Sequence, residues 1–254
     1  MRVKAIALNT FKEAIRDRIL YLLLFFAAVA IIFSRLLALL TVGDRVKIIK
    51  DVGLASLSLF GMLMAILIGT GLVYKEIDKK TIFTLISKPI HRWQFLVGKF
   101  LGLVLTLFVM IFLMSLIFLA LLFFHTFKLE MSIFIAILFI FIELVLITAV
   151  AIFFSCFSTP ILSSIFSLAF YLIGHLSWGL EALIKKIKPG PGRLMARIVY
   201  TVLPDLENFN FKAEVVHGLP ISPKIYLYST LYGLAYTLFI LALATLVFKK
   251  RDFI

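Results

Sequence analysis

Apolar runs of membrane-spanning length alternate along this chain with short polar intervals. Windows rich in Leu, Ile, Phe, Val and Ala cover about 20–41, 54–74, 100–124, 132–156, 161–180 and 226–248. Each is close to the roughly 20 residues that a helix needs to cross a hydrocarbon core. Lipid offers no partners to backbone N–H and C=O groups, so such runs read as helices that satisfy their own. The pattern predicts an all-α membrane protein with six transmembrane helices in a single domain, 1–254.

The intervals carry a different period. Within residues 1–19, Val3, Ala7, Phe11, Ala14 and Ile15 fall on one side, and Lys12, Glu13, Arg16 and Asp17 on the other. This predicts an amphipathic helix lying in the membrane interface. A signal peptide cleaved after Ala28-Val29-Ala30 fits poorly, because hydrophobicity continues to Leu40, well past an h-region of about 7–15 residues. In the interval 75–99, Glu76 to Ser87 is free of Gly and Pro and predicts a helix of roughly 18 Å. Ile77, Ile82, Leu85 and Ile86 share one face, away from Asp78, Lys79 and Lys80. Lys88-Pro89 stops this helix, and another restarts near His91 and enters the third span. The interval 181–225 is the longest. It holds Lys185-Lys186-Ile187-Lys188-Pro189-Gly190-Pro191-Gly192, an amphipathic piece from Leu194 to Val202, and turns at Pro204, Pro220 and Pro223.

Composition sharpens the class. Hydrophobic residues make up 63% of the chain and Phe alone occurs 27 times, with a mean hydropathy of +1.14. Soluble domains run at about 45–50% apolar, so a soluble protein is excluded. The net charge of +13 sits in the intervals between spans, which points to anionic lipid headgroups rather than nucleic acid. The first span has 5 Lys/Arg in 1–19 before it and 3 in 42–53 after it, which favours both termini inside. That orientation places 75–99 in the cytoplasm and 181–225 outside. The single Cys156 rules out an intrachain disulfide.

Glu76, Thr81, Leu85, Ser87, Lys88-Pro89-Ile90, Arg92 and Gly98-Lys99 resemble the first cytoplasmic loop of ABC-2-type transporter permeases. Lys80 stands where many members have Gly. Asn9-Thr10-Phe11-Lys12-Glu13-Ala14 with Arg16-Asp17-Arg18 is similar to the N-terminal elbow helix of that family, and Phe248-Lys249-Lys250-Arg251-Asp252-Phe253 to its C-terminus. The subgroup that the chain resembles most is that of the multicopper-enzyme maturation permeases. The resemblance implies a permease subunit of an ABC exporter in the inner or plasma membrane. It further implies a dimer of such subunits, identical or diverged, and a cytosolic ATPase subunit that holds ATP and Mg. The 75–99 loop would then be the coupling loop, with Glu76, Thr81, Ile82, Leu85, Ile86, Pro89 and Arg92 facing the ATPase.

The remaining polar and small residues divide into packing and chemistry. Gly61, Ala65 and Gly69 form a small-residue stripe on the second span, and Gly98 and Gly102 one that opens the third; both predict close helix contact, within the chain or across a dimer. Glu143 lies mid-way along the fourth span, where insertion of a charge costs about 2.5–3.5 kcal/mol. Arg35 is the only Lys or Arg deep enough to pair with it. A buried pair, a residue lining a transport path and a proton relay are the open readings. His91, His125, His175 and His217 lack ligand spacing, and Met110 and Met114 suit gap filling better than copper binding. No GxxxxGK[ST] loop occurs, so no cofactor is expected on this chain and ATP hydrolysis falls to a partner. The reading is a transporter subunit, not an enzyme; the alternative is a non-ATP translocase subunit or a membrane-embedded enzyme.

Overall fold

The computed structural model describes residues 2–40, 44–78, 91–127, 130–177 and 203–250, with isolated positions at 184, 192, 193 and 197. Its regular structure is entirely helical among the described residues. The amphipathic N-terminus forms α1, Arg2–Ile15. It ends two residues before α2, Arg18–Leu39, because Asp17 turns extended and its carboxylate accepts from the Ile19 N–H at 3.0 Å. This is an N-cap, which satisfies one of the orphan donors of a helix start.

Four long helices follow: α3, Arg45–Asp78; α4, Arg92–Thr126; α5, Met131–Ser155; and, after the shorter α6, Pro160–His175, the last helix of the chain. Between α6 and that last helix lie a 3-10 turn, Leu206–Phe209, and α7, Lys212–His217; the last helix is α8, Pro223–Lys250. Among the described residues five helices, α2, α3, α4, α5 and α8, are long and apolar enough to cross a membrane. Most outrun the apolar windows because polar residues extend their ends. α3 begins at Arg45 rather than 54, and its first turns bear Lys47, bound to Asp44 at 2.6 Å, and Lys50, bound to Glu130 at 2.7 Å.

The predicted span 161–180 differs most. The described helix has 16 residues, about 24 Å at 1.5 Å per residue, and Leu206 packs on Gly174 just before its end. Residues 203–217, part of the interval expected to lie outside the membrane, fold back as a wedge against α3, α5, α6 and α8. Phe211 meets Phe139 of α5 edge-on at 4.6 Å and Tyr226 of α8 at 5.3 Å. Leu206, Phe209, Val215 and Val216 are buried with them. α7 closes at Gly218, whose φ of 68° lets its N–H reach the Glu214 carbonyl; that left-handed conformation suits glycine because it has no Cβ.

α5 is the central helix, packed by α3, α4, α6 and α8. The small stripe on α3 makes its close approach possible: a Cβ on Gly61 would lie 2.5 Å from Leu144, and one on Gly69 3.1 Å from the Cβ of Ala151. Ala65 between them is buried. The Thr70 and Ser164 hydroxyls, 2.9 Å apart, tie α3 to α6.

Candidate functional site

The first group of interest gathers at the N-terminal end of α4. α1 lies across this end, seated on Gly98 and Gly102, where added Cβ atoms would come within 2.7 Å of Ile6 and 2.6 Å of the Ala7 carbonyl. Both small-residue stripes are thus used inside the chain. Between the two glycines, Lys99 is almost fully buried beneath α1 and its ammonium reaches Glu13 at 3.5 Å. Arg92, the first residue of α4, donates to the Phe248 and Lys249 carbonyls at 3.2 and 2.8 Å. Those carbonyls belong to the last turn of α8, whose partial negative charge favours a cation. One short stretch of α4 therefore holds α1 and the end of α8 together. Of the other residues expected to face an ATPase, Thr81, Ile82, Leu85, Ile86 and Pro89 lie outside the described residues, as does the side chain of Glu76; its backbone belongs to the end of α3.

The second group is polar and sits in the bundle, where the wedge meets α3, α5 and α6. Glu143 is 0% exposed, and its Oε1 lies 2.8 Å from His175 Nε2. The other ring nitrogen, Nδ1, lies 3.4 Å from Glu207 Oε2 on the wedge. Tyr171, one turn before His175, packs its ring on the imidazole at 4.6 Å and places its hydroxyl 3.2 Å from Ser58 of α3. Lys212 of α7 donates to the same Ser58 hydroxyl at 3.0 Å. Asp205 accepts from Ser177, and its N–H donates to the Tyr232 hydroxyl of α8 at 2.9 Å. Glu143 Oε2 accepts no hydrogen bond among the described residues.

The candidate Arg35–Glu143 pair is not formed. Arg35 is exposed on α2, while Glu143 is engaged by His175. Depth explains the choice. Glu143 stands 12 residues from the Ser155 end of α5, and His175 15 residues from the facing Pro160 end of α6. At 1.5 Å per residue these are about 18 and 22 Å, nearly level. Met110 and Met114 are buried in the apolar core and Cys156 donates its thiol to the Ile152 carbonyl. No group of three metal-ligating side chains occurs among the described residues.

A third feature is an apolar groove of about 270 Å³ between α4 and α5, lined by Phe108, Phe112, Leu116, Phe134, Leu138 and Phe141, beside the Ser115 hydroxyl, which has no partner among the described residues.

A family model described as ABC-2 family transporter protein matches residues 4–253. The chain belongs to that family. Membership over nearly the whole chain makes this ABC-2 protein a multi-pass membrane permease of an ABC transporter, a transporter component rather than an enzyme. A comparison with curated protein sequences finds no match. Within the ABC-2 protein, the α1–α4–α8 junction adjoins the 79–90 segment in the chain, and the Glu143 cluster lies in the bundle where the wedge meets α6.

Proposed function

We propose that this chain is the permease half of an ABC exporter in the inner or plasma membrane, crossing it six times with both termini in the cytoplasm. It works as a dimer of identical or related permeases on cytosolic ATPase subunits, which hold ATP and Mg. The observation that carries this reading is the α1–α4–α8 junction on a chain of the ABC-2 family. α4 begins at Arg92, directly after the 79–90 segment, and grips both α1 and the last turn of α8. A push on that segment reaches α4 first, and α1 and α8 move with it. α1 is then the elbow helix and 75–99 the coupling loop, with Ile82, Leu85 and Ile86 as its apolar contact and Glu76 and Arg92 at the rim. The sixth crossing is made by α6 together with the wedge that meets its end. Met110 and Met114 are buried in the apolar core and lend no support to a copper cargo, so the subgroup's name is not transferred as a substrate.

The test is a pull-down of the tagged chain from native membranes, followed by an ATPase assay. A P-loop ATPase should co-purify and be lost with Leu85→Asp while the permease stays folded. A chain that purifies alone and supports no ATP turnover overturns the reading in favour of a non-ATP translocase.

A further inference from the structure

His175 contacts a carboxylate oxygen at each ring nitrogen. A neutral imidazole has one N–H and one lone pair, so it can donate to only one of the two carboxylates. With Glu143 and Glu207 both ionised, the second contact would set a nitrogen lone pair against an oxygen lone pair. The arrangement is satisfied when the three side chains together hold one proton more than a neutral histidine and two carboxylates. The contacts differ in kind. The inner one, 2.8 Å, has the length of a charge-assisted bond, and Glu143 Oε1 is its fully buried end. The outer one, 3.4 Å, is longer than an ordinary hydrogen bond, and Glu207 is 42% exposed. Among the described residues Oε2 of Glu143 accepts no hydrogen bond, so the inner contact to His175 is the short hydrogen bond of the buried carboxylate.

We propose that Glu143, His175 and Glu207 form a proton-binding site whose single proton, taken from water at Glu207, locks the 203–217 wedge into the bundle. Glu207 belongs to the wedge, whereas Glu143 and His175 belong to α5 and α6, so the proton bridges parts that separate when the wedge lifts. Closure takes up the proton, and rising pH therefore opposes closure. The other groups that face the site leave the count at one. Tyr171 is a phenol beside both Ser58 and Glu143, Tyr232 a phenol on the Asp205 N–H, and Lys212 an ammonium on Ser58. Asp205 is engaged by Ser177 and by the Glu207 N–H. The range to cover is about pH 5 to 9, where histidine sites change charge; Glu214 and the exposed His217 also lie on the wedge, and the Glu207→Gln contrast separates them from the triad.

Hydrogen exchange of the full chain in lipid nanodiscs reads this directly in peptides covering 203–217. Intrinsic amide exchange rises about tenfold per pH unit. Loss of one locking proton should add about another tenfold per unit above a midpoint in that window, so that protection falls while peptides of α5 stay protected. Glu143→Gln and Glu207→Gln supply the decisive contrast. In either, an amide faces one ring nitrogen and the remaining carboxylate the other, so a neutral histidine satisfies both without an extra proton. Both variants should stay protected across the whole range, with no slope beyond the intrinsic one. Glu207→Gln, at a half-exposed position, answers the question if Glu143→Gln does not fold. Wild-type protection without a midpoint overturns the proposal, as does a wild-type slope retained in Glu207→Gln. A Glu207→Gln wedge that is unprotected at every pH also overturns it, because the carboxylate would then be structural and the proton immaterial.

Discussion

Gly102 offers the sharpest test of how α1 is held. An alanine there would put its Cβ 2.6 Å from the Ala7 carbonyl oxygen and 2.6 Å from Thr10 Cβ. The carbonyl is backbone and Thr10 is fixed by a bond from its hydroxyl to the Ile6 carbonyl at 2.9 Å, so no flexible tip can swing aside. To restore an ordinary contact of 3.4 Å, α1 must withdraw by about 0.8 Å along its length. Overpacking of this kind costs about 1–3 kcal/mol, against about 1 kcal/mol gained by replacing glycine with alanine inside a helix. The expected net loss is about 0–2 kcal/mol. Gly71 on α3 is the control, since nothing lies within 4 Å of an added Cβ there; Gly71→Ala should keep the propensity gain. The two alanine variants should therefore differ by about 1–3 kcal/mol in opposite directions from wild type.

Reversible unfolding in mixed micelles gives the stabilities, and tryptic cleavage at Lys4 and Lys12 gives the position of α1. Gly102→Ala should be cleaved faster at both sites than wild type, and Gly71→Ala should not. Gly102→Val should exceed Gly102→Ala in both measurements. Equal stability of the two alanine variants, or destabilisation of Gly102→Ala without faster cleavage in α1, would refute the claim that α1 sits against the glycine face of α4.

Two further substitutions follow from which partner of a contact is buried. Lys50 is 8% exposed and Glu130 52% exposed, so Glu130→Gln strands the buried ammonium and should cost about 1–3 kcal/mol, whereas Lys50→Met leaves a carboxylate that water can solvate and should cost less than about 1; equal losses in the same unfolding assay would show that burial does not set the asymmetry. Arg92→Ala removes two donors from the last carbonyls of α8 and should cost about 1 kcal/mol, seen as faster tryptic cleavage at Lys249 and Lys250 with the rest of the digest unchanged; an unaltered rate would show that the cap does not hold that turn.

The parts of this architecture that were legible in the sequence are those set by local pattern. Spans declare themselves because lipid forces each backbone group to pair within its own helix, and α4 and α5 extend over their apolar windows to within a turn or two. The glycine stripes were legible because close approach requires a missing side chain, though not which helix would approach. Glu143 was legible as a residue that needs a partner. Its partner is not legible there, because Arg35 carries a permanent charge, while His175 ends a helix inside an apolar run that continues in sequence to 180. The wedge was missed for a related reason. Leu206, Phe209, Phe211, Val215 and Val216 are interleaved with Asp205, Glu207 and Lys212, so no window averages to a span, and their contacts lie on α5, α6 and α8, far away in sequence.

α8 links the two polar groups that the bundle holds. Its 28 residues make a rod of about 42 Å. Near its start, Tyr226 stacks on Phe139 and packs on Phe211, and Tyr232 receives the Asp205 N–H. At its end, Arg92 holds the carbonyls of Phe248 and Lys249. A helix is far stiffer along its axis than the side-chain contacts at its two ends, so an axial displacement imposed by α4 is carried to the wedge instead of being absorbed on the way. The wedge is the element able to respond. Besides its aromatic and aliphatic packing, it is held by single hydrogen bonds to Tyr232, Ser58 and Ser177 and by a histidine bridge whose outer contact is already long, whereas α5 beneath it is packed by four helices. Movement starting at the 79–90 segment would thus be expressed as separation of Glu207 from His175, and protonation of that bridge would oppose it.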